Sequence, residues 1–173
     1  MNKHFFLIYL LSIIFIFIGC NNETLNSETK KLHDFFNNEW EKGLKNSPES
    51  ATWYGDNRYN DKLNDRSLKS ISLNHQNNIK ALKNLIQIKR SQLSYEDQLN
   101  YDLYKQSLIQ SIESYSFKSY LIPLTQLGGI HIGLPNMVEI MPFNNKIDFN
   151  NYLARLEQIP NAITQTTEIM RRG

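Results

Sequence analysis

Leu32, Phe35, Phe36, Trp40 and Leu44 recur at three- and four-residue intervals with charged residues between them, which predicts an amphipathic helix from about residue 27 to 46. Ser47-Pro48-Glu49 then reads as a helix start, because serine can cap free amides and proline at the first helical position needs no donor. Gly55 stops that helix early. Asp56 to Asp65, DNRYNDKLND, is polar and turn-rich and reads as a surface loop held by Asp to Arg or Lys pairs. Leu68, Ile71, Ile79, Leu82, Leu85 and Ile86 mark a long helix from Ser67 to about Ser91. Ser94 and Asp97 have the spacing of a capping box, and Leu99, Leu103, Leu108, Ile112 and Tyr115 carry the next helix. The short link makes these two an antiparallel pair. Residues 148 to 172 read as a last helix, with Asp148 as cap, Phe149, Tyr152, Leu153, Leu156 and Ile159 as the buried stripe, and Pro160 restarting or kinking it. No strand-like alternation competes, so the predicted fold class is all-α. Trp40 and Trp53 read as core residues, with a sugar-stacking platform as the lesser alternative.

Ser119 to Asn145 breaks the pattern. Its only formal charge is Glu139, thirteen apolar side chains from Tyr120 to Phe143 crowd into it, and Gly128, Gly129, Pro135 and Pro142 interrupt it. One regular helix cannot run through this, and long irregular segments in compact domains are uncommon and usually functional or covered. The helices can hide part of this apolar surface but not all of it, so a covering partner is expected.

The amino terminus has a separate logic. Lys3 and His4 precede a 14-residue run from Phe5 to Ile18 in which only Ser12 is plainly polar, and Gly19-Cys20 follows. The run is short for a membrane span of about 20 residues and suits a secretory signal of about 7–15 apolar residues. Phe17-Ile18-Gly19-Cys20 resembles a lipobox, in which lipid joins the cysteine thiol and cleavage makes that cysteine the new N-terminus. The expected organisation is a signal peptide over 1–19, a tether over 20–27 and a helical region over 28–173, with the protein exported and anchored by lipid to a bacterial membrane facing the periplasm or cell exterior.

Charge and cysteine usage narrow the chemistry. Nineteen Lys and Arg against 17 Asp and Glu give +2, or 18 minus 17 for the chain after Gly19, so no basic face for nucleic acid is expected. Cys20 is the one cysteine, which excludes an internal disulfide and cysteine-ligated zinc. Asparagine fills 21 positions, yet these are scattered through the periodic segments rather than gathered into a low-complexity block.

Candidate catalytic groups are scarce. The stretches that begin at His33, His75 and His131 contain no H-E-x-x-H pair, and no G-x-S-x-G elbow occurs. No catalytic or metal-ligating residue is therefore predicted, and no cofactor. Asp56, Asp61 and Asp65 lack an EF-hand's spacing, since Arg58 and Lys62 stand where oxygen ligands and glycine geometry belong. GGIHIG at 128–133 fails as a phosphate loop because Leu134 replaces lysine. Gly128, Gly129, His131, Gly133 and Pro135 remain as residues that line a cleft or pack against another segment, His131 reading as an interior histidine.

NSPESATWYGDNRYND within Phe35 to Asp61, LSYEDQLNYDLY at 93–104, PLTQLGGIHIGLP at 123–135 and NYLARLEQIP at 151–160 together resemble the domain of unknown function 885 family. The resemblance covers the chain after the tether. It implies a helical fold and a bacterial, often lipid-anchored protein several times longer than this chain, similar to zinc metallopeptidases that carry H-E-x-x-H and a further glutamate in their later part. No position here matches that motif, so zinc is implied only for a full-length relative. The chain ends directly after a helical stripe at Arg171-Arg172-Gly173 and reads as an inert amino-terminal portion whose partners are the membrane and the missing catalytic half. A complete small helical lipoprotein that binds a peptide or protein through residues 119–145 is the alternative.

Overall fold

A computed structural model describes residues 27–173. The signal peptide, Cys20 and the tether up to residue 26 lie outside them. The described residues form six α-helices: α1 Ser27–Asn46, α2 Pro48–Trp53, α3 Leu68–Leu85, α4 Tyr95–Ser116, α5 Ile130–Ile140 and α6 Lys146–Met170. Short 3-10 turns occupy Asn57–Tyr59, Arg90–Gln92 and Ser119–Leu121. The fold is all-α, with no named strand among the described residues. Ser27, assigned above to the tether, already belongs to α1.

Two cores hold the helices. Leu32 of α1, Ala81 and Leu85 of α3, Ile88 and Leu93 of the link, and Tyr101 and Leu108 of α4 bury one another, with Phe35, Phe36 and Tyr104 packed edge to face beside them. The α3–α4 pair is antiparallel. His75 near the start of α3 stacks on Tyr115 near the end of α4, with ring centroids 3.9 Å apart. The second core joins Leu63 to Met137 and Met141 of α5 and its C-terminal end and Ala162 of α6.

Several local expectations need correction. Helix α3 ends at Leu85 rather than near Ser91, because the chain turns to send Ile88 and Leu93 into the first core. The Lys89 amide donates to the buried Glu28 carboxylate of α1 (2.7 Å), which fixes that turn. Ser47 makes no side-chain cap; instead Glu49 and Asn64 exchange backbone-to-side-chain bonds at 3.2 and 3.1 Å, so a residue 15 positions on satisfies the start of α2. Ser94 caps α4 as predicted, accepting from the Asp97 amide. Asn145, not Asp148, caps α6: its side chain accepts from Ile147 and Asp148 amides while Asp148 accepts from Asn144 and Asn145. Leu99 and Leu103 point outward, since α4 turns Asp97, Tyr101 and Leu108 inward. Trp40 and Trp53 are exposed rather than core; the six-residue α2 has one inward face, which Pro48, Ala51 and Thr52 fill.

Helix α6 departs furthest. Its buried residues are Arg155, Ala162, Thr166 and Ile169, whereas Phe149, Leu153 and Leu156 of the expected stripe are exposed. The 56–65 segment is the cause. Arg155, with no exposed surface, donates to the carbonyls of Pro48 (3.1 Å), Tyr59 (3.2 Å) and Lys62 (2.8 Å) and to Thr52 Oγ1 (2.6 Å). Gln158 accepts from the Leu63 amide and donates to the Asp61 carbonyl, and Gln165 accepts from the Arg66 amide. The expected surface loop is thus a strap bolted onto α6, with its own Asn60 buried. The Asp56–Arg58 pair does form at its outer edge (2.6 Å).

Candidate functional site

The segment from 119 to 145 contains a regular 11-residue helix, α5, which the sequence reading did not foresee. Gly129 makes it possible. Its φ of +138° is open to glycine, and a Cβ there would stand 2.6 Å from Leu124 Cδ2 and 3.0 Å from the Pro123 carbonyl oxygen. Gly128 closes the preceding turn, accepting from the Thr125 amide at 2.8 Å. Pro135 lies within α5, at the cost of the donor that the His131 carbonyl would have received. Of the thirteen apolar residues counted above, only Met137 and Met141 are buried, while Leu127 is 92% exposed and Ile122 and Val138 are also exposed.

Helix α5 separates two concavities. On one flank an apolar groove of about 510 Å³ runs between α5 and α6, lined by Leu124, His131, Leu134, Pro135, Leu156 and Ile163 among others. Phe149, Leu153, Leu156, Pro160, Ile163, Thr167 and Met170 follow one another at alternating intervals of four and three residues along α6. That is the spacing at which a second helix packs. Every one of these but Thr167, which is half-buried, is exposed.

On the other flank a polar cleft of about 800 Å³ lies between the two cores. Gly129 and Gly133 line it, together with Asn74, Asn77 and Asn78 of α3 and Tyr120. Of the residues singled out in sequence, Gly129 and Gly133 thus face the cleft, His131 and Pro135 the groove, and Gly128 lines neither. A third concavity of about 520 Å³ lies where Trp40 and Tyr54, ring centroids 5.0 Å apart, stand over α1. Sequence reasoning missed the contributions of α1 and α3, because asparagines on a helix face carry no signal of what stands opposite.

Several titratable groups are tied into the fold, but His131, read above as interior, is exposed, and the buried Nδ1 of His75 has no hydrogen-bond partner among the described residues. His33 Nε2 lies 2.9 Å from Asp97 Oδ1, and this bond to His33 is the main reason the Asp97 carboxyl is held below the usual carboxylate range, against the opposing effect of burial. Ser94 contacts Asp97 and not the histidine, so the order needed for a Ser-His-Asp relay is absent. Glu28 is held low by Lys31 and then by the Lys89 amide. Burial pushes the Arg155 guanidinium down, with Glu49 and Asp61 opposing. Among the described residues no three His, Cys, Asp or Glu side chains gather as a metal site. The zinc implied by the resemblance does not fit here: His33 is engaged by Asp97, His75 lies against Tyr115, and His131 sits on the apolar groove.

No helix among the described residues is long and apolar enough to cross a membrane. Comparison with curated proteins and with solved structures finds no match. A family model does match, over residues 48–173, which takes in every helix after α1 and both walls of the apolar groove. The chain belongs to the family described as bacterial protein of unknown function, DUF885.

Proposed function

We propose that residues 28–173 are the amino-terminal helical portion of an exported, lipid-anchored DUF885 protein that resembles zinc metallopeptidases, and that they supply a docking face rather than catalytic groups. The observation that carries this is the heptad-spaced stripe of α6, exposed beside the apolar groove of α5. Phe149, Leu153, Leu156, Ile163 and Met170 are already about half covered, so burying what remains offers about half of the 1.5–3 kcal/mol of a whole side chain, or roughly 4–7 kcal/mol in all. That reaches only the lower part of the roughly 4–15 kcal/mol cost of association, so a partner must cover the α5 groove as well as match the stripe. The partner is the carboxy-terminal half of a family member, which would bring the H-E-x-x-H ligands and zinc.

Co-production with such a half tests the reading. The two should co-purify, and Leu153→Glu with Ile163→Glu should release the half while leaving helix content unchanged. Co-purification that survives this double substitution, or no complex at all, overturns it. Anchoring is assigned to Cys20: mass spectrometry of the membrane fraction should find a lipidated N-terminus there, and mature protein that retains Met1 refutes it.

A further inference from the structure

The polar cleft and the Trp40–Tyr54 concavity are one surface. Glu39, Gly43, Ser47 and Tyr104 line both, so the two open into each other across α1 at Gly43. Gly43 is a costly residue there, since glycine within a helix is less favourable than alanine by about 0.5–1 kcal/mol. Packing does not require it: a Cβ on Gly43 would meet nothing within 4 Å, and the same holds for Gly133 on the far wall. Both glycines leave open space that no part of the described chain fills.

The charges around that space nearly balance, three carboxylates against two cations. Its charged side chains are already matched, Lys42 with Glu39 at 2.6 Å and Arg66 with Glu49 at 2.8 Å, while Asp65 accepts from the Ser67 amide and from Gln165. A charged ligand would have to break these pairs. The carboxamides of Asn46, Asn74, Asn77 and Asn78 have no hydrogen-bond partner among the described residues, and each offers donors and an acceptor together. At the other end, Trp40 and Tyr54 are 50% and 62% exposed, which places two electron-rich aromatic faces in water beside the Ser50 hydroxyl. Hydroxyl-rich rings with polarised C–H faces satisfy both ends: the C–H faces lie on the aromatics, and the hydroxyls or acetamides exchange hydrogen bonds with the carboxamides.

We propose that the surface from Trp40 and Tyr54, over Gly43, to Asn74 and Asn78 binds a neutral glycan chain. This is independent of the docking reading, because it uses α1, α3 and the side of α5 that carries Gly133, and none of the exposed stripe of α6.

Tryptophan fluorescence tests it cleanly. The chain holds two tryptophans, and Trp53 lines neither concavity. In full chain carrying Trp53→Phe, titration with chitohexaose and cellohexaose should shift Trp40 emission to the blue with saturation. Trp40 replaced by Phe, followed by calorimetry, should weaken binding several-fold, and both Gly43→Val and the pair Asn74→Leu with Asn78→Leu should weaken it at least tenfold, with unchanged circular dichroism. A negatively charged hexagalacturonate should bind at least tenfold more weakly than the neutral oligomers. The proposal is overturned if neither neutral oligosaccharide binds, if a proline-rich peptide binds in their place, if hexagalacturonate binds equally well, or if Gly43→Val leaves affinity unchanged.

Discussion

Replacing Arg155 with methionine removes the buried guanidinium that ties the 56–65 strap to α6 while keeping most of the side-chain volume. Two effects oppose one another. Removing a desolvated cation relieves a cost of several kcal/mol, since no carboxylate contacts Arg155 directly. Against this, four oxygen acceptors lose a charged donor, each such bond being worth about 1.5–3 kcal/mol. Their fates differ. The Pro48 carbonyl keeps the Thr52 hydroxyl and the Tyr59 carbonyl keeps the Lys62 amide, whereas the Lys62 carbonyl has no other donor among the described residues and is left an orphan at a cost of about 1–3 kcal/mol. The four lost bonds outweigh the relieved desolvation, and the net loss expected is about 2–4 kcal/mol. For a chain of this size that lowers the melting temperature by roughly 4–16 °C. Lysine at 155 should do no better, because an ammonium lacks the planar fork that reaches several carbonyls at once. Thermal unfolding by circular dichroism measures the loss, and hydrogen exchange should show amides 59–63 opening first. A melting temperature within about 2 °C of the parent, with the strap still protected, would refute the assignment of Arg155 as its anchor.

Glycine substitutions should separate by position: Gly129→Ala destabilises by more than 1 kcal/mol through its +138° φ and the contact with Leu124, while Gly43→Ala raises stability by about 0.5–1 kcal/mol, both read from denaturant midpoints. Leu85→Ala, in the first core, should cost about 2–5 kcal/mol, whereas Leu153→Ala, exposed on α6, should stay within about 0.5 kcal/mol. Acid should unfold the chain through Asp97 and Glu28, whose carboxyls sit below their ordinary values when folded. Their contribution is complete above the unfolded carboxylate range and is lost as pH falls through and below about 4, so Asp97→Asn should flatten the acid limb of a stability curve measured from pH 2 to 7.

Helices α1, α3, α4 and α6 were legible because each carries a stripe at helical spacing, and the Ser94 cap because its partner is three residues away. Which face each helix buries was harder to read. On α6 the sequence offers two adjacent stripes, Tyr152-Arg155-Ile159-Ala162-Thr166-Ile169 and Phe149-Leu153-Leu156-Ile163-Met170, and hydrophobicity alone favours the second. The strap decides the other way, since its backbone carbonyls need the guanidinium of Arg155, a long-range demand that periodicity does not record. Helix α5 was hidden by its own glycines and proline. The clefts likewise depend on which helices face one another, so asparagines at 74, 77 and 78 read as ordinary surface until α1 and α5 stand across from them.

The central claim is that the exposed stripe of α6 and the α5 groove form a docking face for the carboxy-terminal half of a family member. Hydrogen exchange of the full chain, alone and mixed with such a half at saturating concentration, tests it most directly. The account predicts that protection rises at least tenfold across residues 147–170 and 130–140, with little change over α3 and the Arg90–Gln92 turn. Complex formation that leaves 147–170 as fast as in the free chain, or protection confined to α3 and α4, would contradict it.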